Sequence, residues 1–164
     1  IQQISRQAMT YRTTLYSHYS DKYDLLEDYL MDTWQKEMKL DRAQNLSKIK
    51  DEFWDGIHDT VKFFKQYSKL FIQLNENRPI ITNHNLIYNT IRNSLMILLN
   101  TIQPDDTKTR ISKEKLSDFY TSGYLTVVLN WLNSKSKESS KSVTDDLFTL
   151  TYENLYYLLN QSPS

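Results

Sequence analysis

The residues best equipped for chemistry stand in one short run near the start of the chain, Tyr11-Arg12-Thr13-Thr14-Leu15-Tyr16-Ser17-His18. Leu15 and Tyr19 fall at the spacing of an inward helical face, which turns Arg12, Thr13, Thr14, Tyr16 and His18 outward. No carboxylate precedes Asp21, so that face is neutral to basic. A helix offering hydroxyls, an aromatic, an Arg and a His, with no acid among them, suits a phosphate-lined groove. The bland alternative is an amphipathic turn of helix lying beside a longer one.

Other chemistries find little support. Cysteine is absent, which excludes disulfides, thiolate metal sites and a cysteine nucleophile. His58 lies near Asp55 and Asp59, and His84 stands alone. Scattered histidines of this kind do not make a metal site. There is no Gly-rich phosphate loop and no Ser-His-Asp order that stands out, so the reading is of a non-enzyme with no cofactor. The apolar runs are far short of a membrane span. Lys+Arg and Asp+Glu are 20 each, a balance that argues against a uniformly basic nucleic-acid binder but permits a local basic face.

The elements that must position the run are helical throughout. The 164 residues hold 39% hydrophobics, enough for a core, with only 2 Gly and 3 Pro, which fits an all-α chain with few tight turns. Ile1, Ile4 and Ala8 mark one face of a first short helix, with Met9-Thr10 as the turn into the second. Ser20-Asp21 caps a long helix expected to reach Leu40, its stripe being Leu26, Leu30, Trp34 and Met38, widened by Leu25 and Tyr29. At about 1.5 Å per residue, such a helix spans roughly 30 Å and can join two regions rigidly.

Asp41 to Lys48 reads as a loop. Ile49, Phe53, Ile57, Val61 and Phe64 form the next stripe, which Tyr67, Leu70, Phe71 and Leu74 continue, either in the same helix or after a kink. Asn75 to Pro79 ends it. Leu86 to Ile102 is the most apolar helix. A linker, Gln103 to Arg110, precedes a Ser112 cap with Ile111 and Leu116 placed as a hydrophobic staple. That helix runs past Trp131-Leu132. Asn133 to Lys141 reads as a solvated loop, and the last helix carries Val143, Leu147, Leu150, Leu155 and Leu158.

With these residues set out, the N-terminal stretch resembles the helix-turn-helix of the TetR-type transcriptional regulators. The resemblance rests on Ile4, Ala8, Thr14-Leu15-Tyr16, His18-Tyr19, Lys22 and Leu25-Leu26, without gaps. Met9 departs from the pattern, standing where the family has Gly. A left-handed backbone there would cost Met roughly 1 kcal/mol. The family's first helix and basic N-terminal arm are also missing, so the resemblance implies a fragment, a trimmed chain or the ordered part of something longer. The stretch Tyr120 to Leu147 is similar to the C-terminal region of a TetR subgroup that includes regulators of dihydroxyacetone kinase genes. That likeness rests on Tyr120, Gly123, Trp131-Leu132 and the polar loop that follows.

The resemblance implies a TetR-like all-α fold. Residues 1–30 would be a helix-turn-helix domain, and 31–164 a helical effector-binding and dimerisation domain. It places Arg12 and Thr13 against base edges, where an Arg fork matches the two acceptors of guanine. It places Thr14, Tyr16, His18 and Lys22 on phosphates, with Gln2 as a further phosphate contact. The expected partners are a double-stranded DNA operator, a second copy of the chain and an unknown small-molecule effector. No membrane is expected, and the location is the bacterial cytoplasm, at the nucleoid when bound.

Dimerisation through the last two helices is expected to use Gly123, Val127, Trp131, Leu147, Leu150 and Leu155. Gly123 could equally pack on its own chain. Phe53, Trp54, Phe64, Tyr67, Phe71, Tyr88, Tyr120 and Tyr124 could line an effector pocket or simply be core. Three functions stay open: a repressor released by a small molecule, a regulator or activator governed by a protein partner, and a helical dimer without a DNA role.

Overall fold

The computed structural model describes residues 2–37, 49–82, 85–105, 110–134 and 137–160. Within them the chain is all-α, and no strand occurs among the described residues. The head comprises α1 (Gln2–Gln7) and α2 (Arg12–His18). The body comprises α3 (Lys22–Glu37), α4 (Ile49–Gln66), α5 (Ser68–Asn77), α6 (Leu86–Ile102), α7 (Lys113–Asn133), α8 (Ser140–Phe148) and α9 (Asn154–Asn160). A wider π turn, Thr149–Glu153, joins the last two. Ile1, His84, Met38 to Lys48 and parts of both later linkers lie outside the described residues, as do the expectations placed on them.

Several boundaries follow from named caps. Asp21 accepts hydrogen bonds from the backbone N–H of Tyr23 (2.7 Å) and Asp24 (3.0 Å), while Asp24 accepts from the N–H of Ser20 (2.9 Å). This reciprocal pair satisfies donors that the first turn of α3 would leave free. Asn85 opens α6 by accepting from Ile87 and Tyr88. Ser112 opens α7 by accepting from Lys115. The expected staple there is half made, because Leu116 is buried while Ile111 stays 41% exposed. Ser139 caps α8, so that helix begins inside the stretch expected to be loop. The run through Tyr67 is broken rather than continuous: Tyr67 has φ −100°, ψ 22°, and α5 restarts at Ser68.

The core forms where α4 crosses α8 and where α6 pairs antiparallel with α7. Phe64 stacks on Phe71 at 4.1 Å, and Trp34 meets Phe63 edge-on at 5.2 Å. Ring pairs of this kind add about 1 kcal/mol beyond their buried area. Ser117 donates its hydroxyl to the Arg92 carbonyl (3.1 Å), and Arg92 pairs with Asp118, which sets the register of α6 against α7. A second apolar cluster gathers Leu95, Leu98, Leu99, Leu116 and Leu155 where the later turns of α6 meet the first turns of α7.

The buried face of α3 is Glu27, Leu30, Met31 and Trp34. Leu30 and Trp34 of the expected stripe are thus buried, while Leu25 and Leu26 are half-buried and Tyr29 is 48% exposed. α3 packs on α5 and α6 along one side, where Leu26 borders the core, and Leu25, Leu26 and Tyr29 also line a groove shared with Ile4 of the head.

Candidate nucleic-acid interface

The head is built on a tight reversal after α1. Thr10 N–H bonds back to the Ser5 carbonyl (3.0 Å) and Met9 N–H to that of Arg6 (3.3 Å). This pair of bonds is the Schellman pattern, and it needs a left-handed residue at its apex. Met9 supplies it with φ 50° and projects into solvent, 96% exposed. The left-handed backbone expected at the Gly-like position is therefore present, with Met bearing the strain.

The turn sends α2 off with its chemistry outward. Arg12, Thr13, Thr14, Tyr16 and His18 are all exposed, no residue of α2 is buried, and Leu15 is half-buried beneath. Gln2 on α1 and Lys22 at the start of α3 are exposed as well. All seven residues expected to meet nucleic acid are thus free to touch a large partner. The end of α2 is tied down by the Tyr19 hydroxyl, which donates to Asp28 at 2.7 Å. That carboxylate pushes the Tyr19 pKa up by stabilising the protonated phenol.

Beneath the head the inward faces expected of the two short helices are only partly covered, with Leu15 and Tyr19 half-buried. Ser5 is the buried residue of α1, whereas Ile4 is 38% exposed and Ala8 is exposed. Ile4 instead edges a groove of about 580 Å³ between α1, α3 and α5, whose apolar walls are Leu25, Leu26, Tyr29 and Leu70. Gln73 and Asn77 line the far side.

The eight aromatics expected around an effector lie in the body, and none of them lines this groove. Phe64, Phe71, Tyr88 and Tyr124 are buried, and Phe53, Trp54, Tyr67 and Tyr120 are half-buried. Two spend their polar ends within the chain: Trp54 donates to Asp145 (2.9 Å) and Tyr67 to Glu37 (2.7 Å). His58 faces the Thr144 hydroxyl at 3.2 Å. The Tyr124 hydroxyl is enclosed beside Thr60 without a well-formed hydrogen bond, and the Thr121 hydroxyl is enclosed with none. Burial pushes the Tyr124 pKa far upward, because a phenolate there would lose its hydration.

The residues expected at a dimer face divide. Trp131, Leu147 and Leu155 are buried within their own chain at 5%, 1% and 0% exposure, so they are corrected to core. Trp131 is held by its indole N–H to the Glu138 carbonyl and by Lys65 over its ring. Leu147 faces the α4 side of the core and Leu155 the second cluster. Gly123, Val127 and Leu150 are exposed, and a Cβ on Gly123 would meet nothing within 4 Å. Phe119 and Tyr157 are exposed as well, at 74% and 66%. Phe119 stands one turn before Gly123.

Sequence reasoning missed a polar junction below the head. Arg78, read only as part of a helix stop, reaches Asp21 (3.0 Å), the Ser20 hydroxyl (3.2 Å), Asp24 (3.6 Å) and Glu27 (4.0 Å). The available signal was Glu27 itself, an acid on the same helical face as Leu30, Met31 and Trp34.

Residues 51–153 match the family model of a transcriptional regulator C-terminal region of the TetR type. The match begins early in α4 and ends with the π turn, so the head and α3 lie outside it. No curated protein matches, and no solved structure does. No helix among the described residues is long and apolar enough to cross a membrane.

Proposed function

The chain belongs to the TetR-type transcriptional regulators, and on that premise we propose that it is a homodimeric DNA-binding repressor. Residues 1–30 form the reading domain and 31–164 the effector-binding and dimerisation domain. The observation that carries the reading is α2. Its whole polar set, Arg12, Thr13, Thr14, Tyr16 and His18, faces solvent on a seven-residue helix held at both ends by the Met9 turn and the Tyr19–Asp28 bond. Arg12 and Thr13 read base edges. Thr14, Tyr16, His18, Lys22 and Gln2 fix register on phosphates.

Dimerisation uses the exposed Gly123, Val127 and Leu150, together with Phe119 and Tyr157. Two reading heads roughly 34 Å apart then meet successive major grooves of an inverted repeat. The groove edged by Ile4, Leu25, Leu26, Tyr29 and Leu70 has the apolar walls to seat the helix that opens the family's motif. The finer likeness to regulators of dihydroxyacetone kinase genes belongs to the same proposal, as do a cytoplasmic location and association with the nucleoid.

The switch is a pivot of α3, which touches the head at one end and packs on α5 and α6 along its length. An effector works through its differential affinity for two head spacings. One observation favours a protein partner over a small molecule as that effector. Candidate pocket aromatics are packed into the core, Phe64 stacked on Phe71 at 4.1 Å and Phe53 set against Phe148 and Tyr152, which stack on each other at 5.1 Å. A partner docking on the outer face of the body would act without opening that core.

The test is selection of duplexes from a random pool with the full-length protein, then binding by Arg12→Ala and Tyr16→Ala. Arg12→Ala is expected to relax specificity at one base pair and lose about 1–3 kcal/mol. Tyr16→Ala is expected to weaken all sequences alike. Parental affinity and specificity in both variants would defeat the reading.

A further inference from the structure

We propose that Arg78 and Glu27 are positioning residues that set the angle of the head on the body. The inference rests on the DNA-reading role proposed above and deepens it. The head is continuous with the start of α3: Tyr19 bonds Asp28, and Ser20 bonds Asp24 through both its N–H and its hydroxyl. Whatever holds the first two turns of α3 therefore holds the head.

Two contacts do so from the α5–α6 corner. Arg78 ends α5, its N–H on the Leu74 carbonyl at 2.7 Å. Two residues on, the fully buried Ile80 donates its N–H to Asn75. With its backbone anchored on both sides, the guanidinium extends over Asp21, Asp24 and Glu27, three acids at intervals of three on one face of α3. A planar fork can serve more than one carboxylate at once, which a point charge cannot. Glu27, 6% exposed, accepts the N–H of Leu86 at 2.6 Å, the first residue of α6. One helix face is thus pinned to the end of α5 and the beginning of α6.

Removing the cation would leave three like charges on successive turns with no opposing charge from α5. They would repel one another and loosen the first turns of α3, leaving the Glu27–Leu86 bond as the remaining tie to the corner. Movement of that corner, by an effector or a partner, would be transmitted to the head through the same contacts.

The chain has no cysteine, so pairs can be introduced cleanly. Ser17→Cys on α2 and Lys62→Cys on α4 are both exposed sites for spin labels. Full-length labelled chain diluted into unlabelled chain gives the head-to-body distance by pulsed electron resonance. In the parent a single narrow distribution is expected. Arg78→Gln should roughly double its width and lower the melting midpoint modestly, since it takes the cation from the part-exposed Asp21 and Asp24 and from the buried Glu27. Asp21→Asn retains a capping oxygen and should broaden it less. Combined with Arg78→Gln it should add nothing.

Operator affinity of Arg78→Gln should fall about tenfold with the parental salt slope, because Arg78 touches no phosphate. Unchanged width in Arg78→Gln, or broadening that adds in the double variant, would overturn the inference. If Arg78→Gln fails to fold, an unchanged width in Asp21→Asn overturns it. Absence of DNA binding in the parent would sink the regulator reading, while the distance measurement still decides the role of Arg78.

Discussion

Arg78 and Asp21 stand 57 residues apart in the chain and 3.0 Å apart in space, joining the end of α5 to the cap of α3. The backbone N–H of Asp24, then that of Tyr23, then the Arg78 guanidinium hold the Asp21 pKa below its ordinary 3.8, against the opposing effect of burial. A carboxylate with a lowered folded pKa stabilises the fold above its unfolded pKa, and that contribution is lost as pH falls through the folded value. The melting midpoint should therefore drop between about pH 5 and about pH 2. Asp21→Asn, neutral throughout, should lower the midpoint at neutral pH and flatten that acid limb. An equally steep limb in the variant would contradict it.

Met9 sits at φ 50° with its side chain in solvent. Gly there relieves a left-handed penalty of about 1–2 kcal/mol but adds freedom to the unfolded chain. Met9→Gly should raise stability by about 1 kcal/mol in chemical unfolding followed by circular dichroism. Met9→Val, β-branched at the same φ, should lower it.

Gly123 separates intramolecular from intermolecular packing. Within the chain a Cβ there meets nothing within 4 Å, so Gly123→Ala should stabilise the isolated chain by about 1 kcal/mol through helix propensity. At a dimer face with close helix approach, the same methyl should weaken association. Sedimentation of parent and variant across a concentration series measures the second effect. A variant that is more stable and dimerises as tightly as the parent would remove Gly123 from the interface.

The enclosed hydroxyl of Thr121 has no hydrogen-bond partner. Replacing a buried polar group by an apolar one of similar shape removes a desolvation penalty of about 1–3 kcal/mol. Thr121→Val should be neutral to stabilising in urea unfolding, whereas most core substitutions destabilise. A loss above about 2 kcal/mol would mean that the hydroxyl has a partner.

Local pattern was enough for much of this molecule. Helical periodicity located the helices, Ser112 and Asp21 announced their caps, and the acid-free outward face of α2 was legible because side-chain direction on a helix follows from spacing alone. The left-handed backbone at Met9 was signalled by the family resemblance, which has Gly at that place, and not by local pattern.

Tertiary structure alone decided which apolar residues the chain keeps for itself. Trp131 lies four residues from Val127 and Leu147 three from Leu150, both same-face spacings, yet Trp131 and Leu147 are inside and Val127 and Leu150 outside. Period says that a face is apolar and does not say what covers it. The same limit hid the junction of Arg78, Glu27 and Leu86, in which Glu27 lies 51 residues before Arg78 and 59 before Leu86. Such a contact exists only after α5 and α6 have folded back on α3, so no local spacing could encode it.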